Sequence, residues 1–400
     1  MSESSPRMPP VWLLFAMMFV GQFATNVYLP GLPDIARDLS TSLSAAQTLV
    51  PAYLASFAVA QLVMGPLSDR FGRRAVIITG LGIFTLASVA CVFAPDIPTL
   101  IAARVFQATG ACATIVVGRA MIRDTSEGVA AAQAMAYLAI AMGVGPAVAP
   151  FVGGFLIGWV GWKATFLLTA AVGAAVFACV VPMLEETLPR DRRNPPAPSR
   201  LVVEYGRLLR VRMFVTYSLL VSFTTAAAQV YLTSIPVVFT VLMGVRPEFV
   251  GFFILMMPPF FIVATYLARR LSNHMAIDRI ILIGVVISAS GGLLQLVLGI
   301  VGVTTPYPVM AAFAISNFGT GFVFANCYAL ALSSVPPAIA GSASALGGFI
   351  HMSWGATVSL AVASVAHTSS LQMGIAQMAT TSLGLATALV LIFVFKRGRG

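Results

Sequence analysis

Apolar runs of roughly twenty residues, each closed by a short polar or glycine-proline break, cover most of this chain. About 20 such residues are needed for a helix to cross a bilayer, and the pattern predicts twelve spans. They fall at 11–31, 47–67, 74–94, 99–121, 131–158 and 163–184, then at 213–238, 248–268, 278–302, 307–332, 340–366 and 372–395. Between the sixth and seventh lies the only long polar stretch, Glu185 to Arg212, with Pro189, Pro195, Pro196 and Pro198 among its arginines. The expected fold is an all-α integral membrane protein of two six-helix bundles, 1–184 and 213–400, joined by a basic linker at 185–212. Six spans, a linker and six more spans form a two-fold repeat, the plan of a secondary transporter whose site lies between the halves.

The densest polar interruption is Gly65-Pro66-Leu67-Ser68-Asp69-Arg70-Phe71-Gly72-Arg73-Arg74, between the second and third spans. Asp69 lies within reach of Arg70, Arg73 or Arg74, and Gly65 and Gly72 suit close helix approach. A loop that merely fixes orientation would explain the arginines, but not this order of glycine, acid and base. The second half offers only Ala268-Arg269-Arg270-Leu271 at the matching place, so any gating by this loop is asymmetric.

Composition removes whole classes of function. The chain is 59% hydrophobic and 9% charged, against about 25% charged in a soluble domain, and its mean hydropathy is +0.95. Lipid must solvate much of that surface, and no length remains for a soluble catalytic domain. The net charge of +10 does not indicate nucleic acid, because the basic residues stand in small groups at helix ends. With both termini in the cytoplasm, only Arg37, Arg104, Lys163 and Arg246 of the 23 Lys and Arg fall away from that side, as the positive-inside rule expects. Cys91, Cys112, Cys179 and Cys327 sit one per apolar run, which suits neither a zinc site nor a disulfide framework. Met1 to Pro10 passes into the first span without a small-residue cleavage site, the pattern of an uncleaved first helix.

Polar residues inside spans are the candidates for function. Gln22, Thr25 and Asn26 share one face of the first span, where a cavity or plain interhelical bonding would serve them equally. In the fourth, Arg104, Gln107, Ala111, Thr114 and Gly118 form a polar or small face. A mid-span charge costs at least about 2.5–3.5 kcal/mol, so Arg104 requires a water-filled site or polar partner, unless it snorkels to the span's end. The fifth span carries Gly145, Pro146, Pro150, Gly153 and Gly154, prolines that kink it and glycines that admit a neighbour. Thr225 and Gln229 share a face of the seventh, and Asn317, Thr320 and Gly321 a face of the tenth, with Asn326 and Tyr328 below. In the eleventh, Gly341, Ser344, Gly348 and Gly355 form a packing stripe interrupted by His351. A hydrogen-bonded structural histidine is the plainer reading, yet His351 is the in-span residue that titrates near pH 7.

These stretches resemble known ones. The Gly65–Arg74 run resembles the signature loop between helices 2 and 3 of the major facilitator superfamily. Arg104-Val105-Phe106-Gln107-Ala108-Thr109-Gly110 is similar to that superfamily's RxxQGxG signature, with Thr109 replacing a glycine. Gly143 to Gly154 resembles the antiporter motif of exporters. Thr25-Asn26-Val27-Tyr28-Leu29-Pro30-Gly31-Leu32-Pro33 looks like the TDMYLPALP pattern of the Bcr/CflA drug:proton antiporters, with Asn26 where that pattern usually has Asp. Arg119 to Asp124, and Asn326 through Gly348, also look like that group.

The resemblance implies export of small, mostly apolar compounds by proton antiport and alternating access across a bacterial inner membrane. It implies a role for Arg104 in proton transfer or substrate binding. Gln22, Asn26, Arg104, Gln107, Gln229, Asn317 and His351 are the expected substrate contacts. Asn26 cannot take a proton, which leaves Asp34, a group such as His351 or Asp124, or uncoupled efflux. A dedicated metabolite exporter or facilitator on the same fold is the alternative. No nucleotide loop, metal cluster or nucleophile with a base is evident, so neither enzyme activity nor a cofactor is expected. The expected partners are the bilayer, a small-molecule substrate and protons, with the chain a monomer and no nucleic acid bound.

Overall fold

A computed structural model describes residues 8–126, 128–190, 193, 198–336, 339–365 and 369–391. Every regular element among them is helical. The first half comprises α1 (Val11–Asn26), α2 (Leu32–Asp38), α3 (Leu43–Gln47), α4 (Leu49–Phe71), α5 (Arg73–Val92), α6 (Ile97–Thr125), α7 (Gly128–Val160) and α8 (Lys163–Met183). Then come α9 (Pro198–Leu208), α10 (Arg212–Val237), α11 (Pro247–Leu255), α12 (Pro258–Leu271), α13 (Ile277–Val301), α14 (Pro306–Ser333), α15 (Ala340–Ala363) and α16 (Leu371–Val390). Eleven stretches among the described residues are long and apolar enough to cross a membrane, and α7 adds the apolar segment Val144–Val160. The tail Lys396 to Gly400 and the linker's Pro195 and Pro196 lie outside the described residues.

Proline chemistry moves three of the expected boundaries. The first span ends at Asn26, because Pro30 and Pro33 turn the chain through a short 3-10 segment, Leu29–Gly31, into α2. The eighth span is not one helix: Pro258 and Pro259 divide it into α11 and α12 at Met256–Met257. After Pro236, α10 continues as one π-helical turn, Val238–Leu242. The second span instead runs longer than expected, to Phe71, so Asp69 and Arg70 belong to the last turn of α4. The turn into α5 is then Gly72 alone, at a φ of 97° that favours glycine. The linker also carries a helix of its own, α9, whose Leu208 is buried against the second half.

The apolar clusters follow the repeat. One set joins α1 through α8, with Ala356 of α15 reaching into it, and another joins α9 through α16. Helices cross where glycines remove side chains. A Cβ on Gly110 would stand 2.7 Å from the Phe84 amide of α5, and one on Gly291 of α13 would stand 2.5 Å from the Ser316 amide of α14.

Between the halves, α4 packs on α15 and α7 on α11. The end bearing Asp69–Arg74 is called the basic end here. At the other end, the Gln47 side chain donates to the Thr233 carbonyl at 3.0 Å, and Ser44 donates to the Ala363 carbonyl. That end is therefore tied shut by hydrogen bonds between the halves.

Candidate functional site

Arg104 is fully buried on α6. Its guanidinium carbon lies 4.3 Å from the ring centre of Tyr28, 4.2 Å from that of Tyr53 and 5.9 Å from that of Phe166. Aromatic faces attract a cation most strongly where water is excluded, by about 2 kcal/mol or more. One guanidinium nitrogen, Nη1, donates to the Ala24 carbonyl at 3.0 Å and to Gln107 Oε1. Gln107 in turn donates to Ser88 Oγ at 2.7 Å, and Ser88 donates to the Phe84 carbonyl. The two remaining guanidinium nitrogens and the Tyr28 hydroxyl are buried with no hydrogen-bond partner among the described residues. Arg104 thus does not snorkel; it is held in an aromatic cage with donor capacity to spare.

Helix α1 and the turn after it supply one wall of this cage through the Ala24 carbonyl and Tyr28. Its expected polar face is divided among tasks. Thr25 bonds back to the Gly21 carbonyl, Asn26 is buried, and Gln22 packs on α7. A Cβ on Gly145 would stand 2.7 Å from Gln22 Cβ, and one on Gly153 would overlap the Val27 carbonyl oxygen. Across the other face of α7, a Cβ on Gly251 would overlap the Pro150 carbonyl oxygen. The run from Gly145 through Pro146, Pro150, Gly153 and Gly154 is thus the surface on which α7 meets α1 and, across the halves, α11.

At the basic end Arg73 is the hub. Its side chain reaches Asp69 at 2.5 Å, Ser68 at 2.5 Å and Asp124, at the end of α6, at 2.9 Å. Its amide donates to Glu186 at 2.8 Å, and Glu186 also pairs with Arg193 at 3.2 Å. Arg74 donates to the Val181 and Leu184 carbonyls at the end of α8, both at 2.7 Å. A Cβ on Gly72 would overlap the Glu186 carboxylate, so this glycine is required by both φ and space. The expectation of close approach fails at Gly65, where an added Cβ would meet open space. Arg70 is exposed, with its guanidinium over Phe71.

The family model described as Major Facilitator Superfamily matches residues 14–360. The chain belongs to the Major Facilitator Superfamily. It is 30% identical over 350 residues to Multidrug resistance protein D of Escherichia coli strain K12, covering 87% of each chain. It is 24% identical over 344 residues to a Bicyclomycin resistance protein homolog of Haemophilus influenzae, covering 86% of each. Those relatives agree with the resemblance to the Bcr/CflA group. Among solved structures, a D-xylose-proton symporter superposes with a TM-score of 0.74 at 19% identity, over 96% of this chain and 97% of that one. That likeness concerns the fold alone.

In the facilitator frame, the remaining candidates separate from the Arg104 cage. Asn317 of α14 donates to the Met257 carbonyl at 3.1 Å, joining the Phe260 amide on that acceptor at the break between α11 and α12. Gln229 of α10 packs beside Gly355 of α15, where an added Cβ would stand 3.3 Å from Gln229 Cγ. Asn326 bonds back to the Phe322 carbonyl. The hydrogen bond expected for His351 is not found among the described residues. Its ring meets that of Phe324 edge-on at 6.3 Å, beside a small cavity of about 30 Å³ lined by Phe214, Ser218, Tyr328 and Gly347.

Asp34 pairs with Arg37 beyond α1, and Asp124 is held by Arg73 and Thr187. Asp96 caps α6 through the Thr99 amide, which holds its carboxyl below the usual carboxylate range. A larger cavity of about 1110 Å³, lined by Phe252, Phe253, Met256, Tyr307 and Met310, lies where the broken eighth span faces α14.

Sequence reasoning missed Tyr53, Phe166, Ser88 and Glu186. Tyr53 and Phe166 look like ordinary apolar-span residues. Only the buried charge of Arg104, which must find company, hinted that aromatic faces would gather there.

Proposed function

We propose that this transporter exports small, mostly apolar compounds across the bacterial inner membrane in exchange for protons, by alternating access. The halves that rock are 1–184 and 213–400, with 185–212 as a cytoplasmic linker, both termini in the cytoplasm and the chain acting as a monomer. The names of the relatives support drug-like cargo. The observation that carries the reading is the Arg104 cage: a buried, permanent cation with two unpartnered donor nitrogens, beside an α1 whose position 26 is uncharged. A deep anionic site is what a cationic drug would need, and this chain lacks a carboxylate there. Neutral or anionic compounds therefore suit the site, with Gln22, Asn26, Gln107 and Gln229 as further contacts. The Arg73 network at the basic end serves as the gate between conformations.

Inverted membrane vesicles containing the protein test this. Chloramphenicol-like and bicyclomycin-like compounds should drive a pH change that an ethidium-like cation does not. Asn26→Asp should extend the response to the cation. Strong export of ethidium by the native chain would overturn the reading.

A further inference from the structure

We propose that His351 carries the coupling proton, in place of the carboxylate that position 26 lacks; this rests on the antiport reading above. The first support is where the acids are. Asp69 and Asp124 are paired with Arg73, Glu186 with Arg193, Asp34 with Arg37 and Glu248 with Arg246. Asp38 accepts from the Trp162 indole at 2.8 Å, and Asp96 caps a helix. All of these stand within a turn of a helix end or beyond it, and each engages a cation or a donor, although the second carboxylate oxygen of Glu248, in the first turn of α11, is buried with no partner among the described residues. Arg104 lies deep, but a guanidinium does not give up its proton in a protein.

The second support is the setting of His351. It lies 11 residues into α15, about 16 Å from that helix's start at 1.5 Å per residue. Gly348, His351 and Gly355 follow one another at spacings of three and four, so they share a face of α15. That face lies where the halves meet: a Cβ on Gly348 would overlap the Gln61 amide oxygen of α4, and one on Gly355 would stand 3.3 Å from Gln229 of α10 and 3.8 Å from Leu54 of α4. The imidazole therefore stands beside the seam that must open and close as the halves rock, turned toward α10 and α14 of its own half. The cavity beside it, about 30 Å³, has room for about one water, with the Ser218 and Tyr328 hydroxyls in its wall.

Few other groups compete for the charge. From α10 the cavity receives Phe214, Ser218 and Val221, and from α14 Phe324, Tyr328, Ala331 and Leu332. Only the Tyr328 phenol among these titrates, and it is bonded to Ser344 at 2.9 Å. From α4 comes the neutral Gln61, and from α9 the Tyr205 hydroxyl, which donates to the Leu62 carbonyl. From the first half, Arg123 comes within 3.7 Å of where a Cβ on Gly341 would be, ten positions along α15 from His351.

The proton balance is simple. The neutral imidazole accepts one proton at an unbonded ring nitrogen from water on one side of the membrane. The imidazolium returns that proton to water on the other side after the halves rock. No bond in the cargo changes, and one proton enters for each cargo molecule that leaves. The added charge beside the α15–α4 seam makes the closed packing less favourable, which links protonation to rocking.

The test uses the full chain in proteoliposomes with chloramphenicol as cargo and a pH dye inside. In wild type, cargo and protons move in a constant ratio. His351→Gln and His351→Asn should each lower the protons moved per cargo at least tenfold. In detergent without buffer, chloramphenicol binding should release a proton from wild type and none from either variant, a readout that needs no transport. Proton movement per cargo unchanged in both variants would overturn the role of His351 while leaving antiport standing. Cargo movement without protons in wild type would overturn antiport itself, and this inference with it.

Discussion

The two halves of this transporter handle their deepest ionisable groups in opposite ways. In the first half, Arg104 is fully buried, with Tyr28 and Tyr53 at 4.3 and 4.2 Å and Nη1 bonded to Ala24 and Gln107. In the second half, His351 is half-buried, touches Phe324 by its edge and borders a small cavity between α10, α14 and α15. A permanent charge has to be enclosed by groups that never leave it, so its cage draws on one half alone. A group whose charge is to change needs loose surroundings and access to water. The difference between a fixed and a variable charge is therefore visible as a difference in packing. The same contrast separates the two loops of the repeat. Arg73 binds three elements together at the basic end, whereas Arg269 and Arg270 at the end of α12 are exposed, Arg270 lying over Tyr266.

The sharpest way to break this contrast is Arg104→Lys. An ammonium cannot fill the planar slot between two rings and also reach both Ala24 and Gln107. Cargo export measured as an initial rate in vesicles should fall at least tenfold, and an unchanged rate would mean that charge alone, not the cage, matters. Next in size is the pair Arg73→Gln and Arg269→Gln, compared by thermal unfolding in detergent. Losing the Arg73 bonds should cost about 1–3 kcal/mol, while the exposed Arg269 should stay within about 0.5 kcal/mol. Equal shifts would erase the asymmetry of the loops. The smallest effect is expected from Asn317→Leu, which removes the bond from α14 to the Met257 carbonyl but leaves that of the Phe260 amide, and should cost about 1 kcal/mol. Hydrogen exchange across residues 254–260 should rise in that variant, and no rise would show that the broken span supports itself.

Much of the scaffold was legible in the chain. Runs of apolar residues must become helices in lipid, since each backbone amide there needs an internal partner. The Gly65–Arg74 order announced an ion-paired turn, and the structure selects Arg73 from the three candidate arginines as the partner of Asp69. The prolines were equally visible, but their consequences were not. Pro146 and Pro150 remain inside α7, Pro30 and Pro33 end α1, and Pro258 and Pro259 split a span. Whether a proline bends or breaks a membrane helix depends on which donor satisfies the freed carbonyl, as the Met257 amide does for Ile254.

By itself the sequence determined the all-helical membrane fold, where the apolar runs lie and the list of polar residues that had to find partners, because those follow from local hydropathy and from the cost of burying charge. Only the tertiary structure decided which partners they found. Tyr28, Tyr53 and Phe166 reach Arg104 from three separate segments, and Glu186 reaches Arg73 from across the first half. Asn317 proves to be a brace, and the His351 ring meets Phe324 by its edge with no hydrogen bond found among the described residues. Such assignments depend on how helices rotate and cross, which is set by the close contacts of glycines such as Gly145, Gly153 and Gly348 with residues far away in the chain.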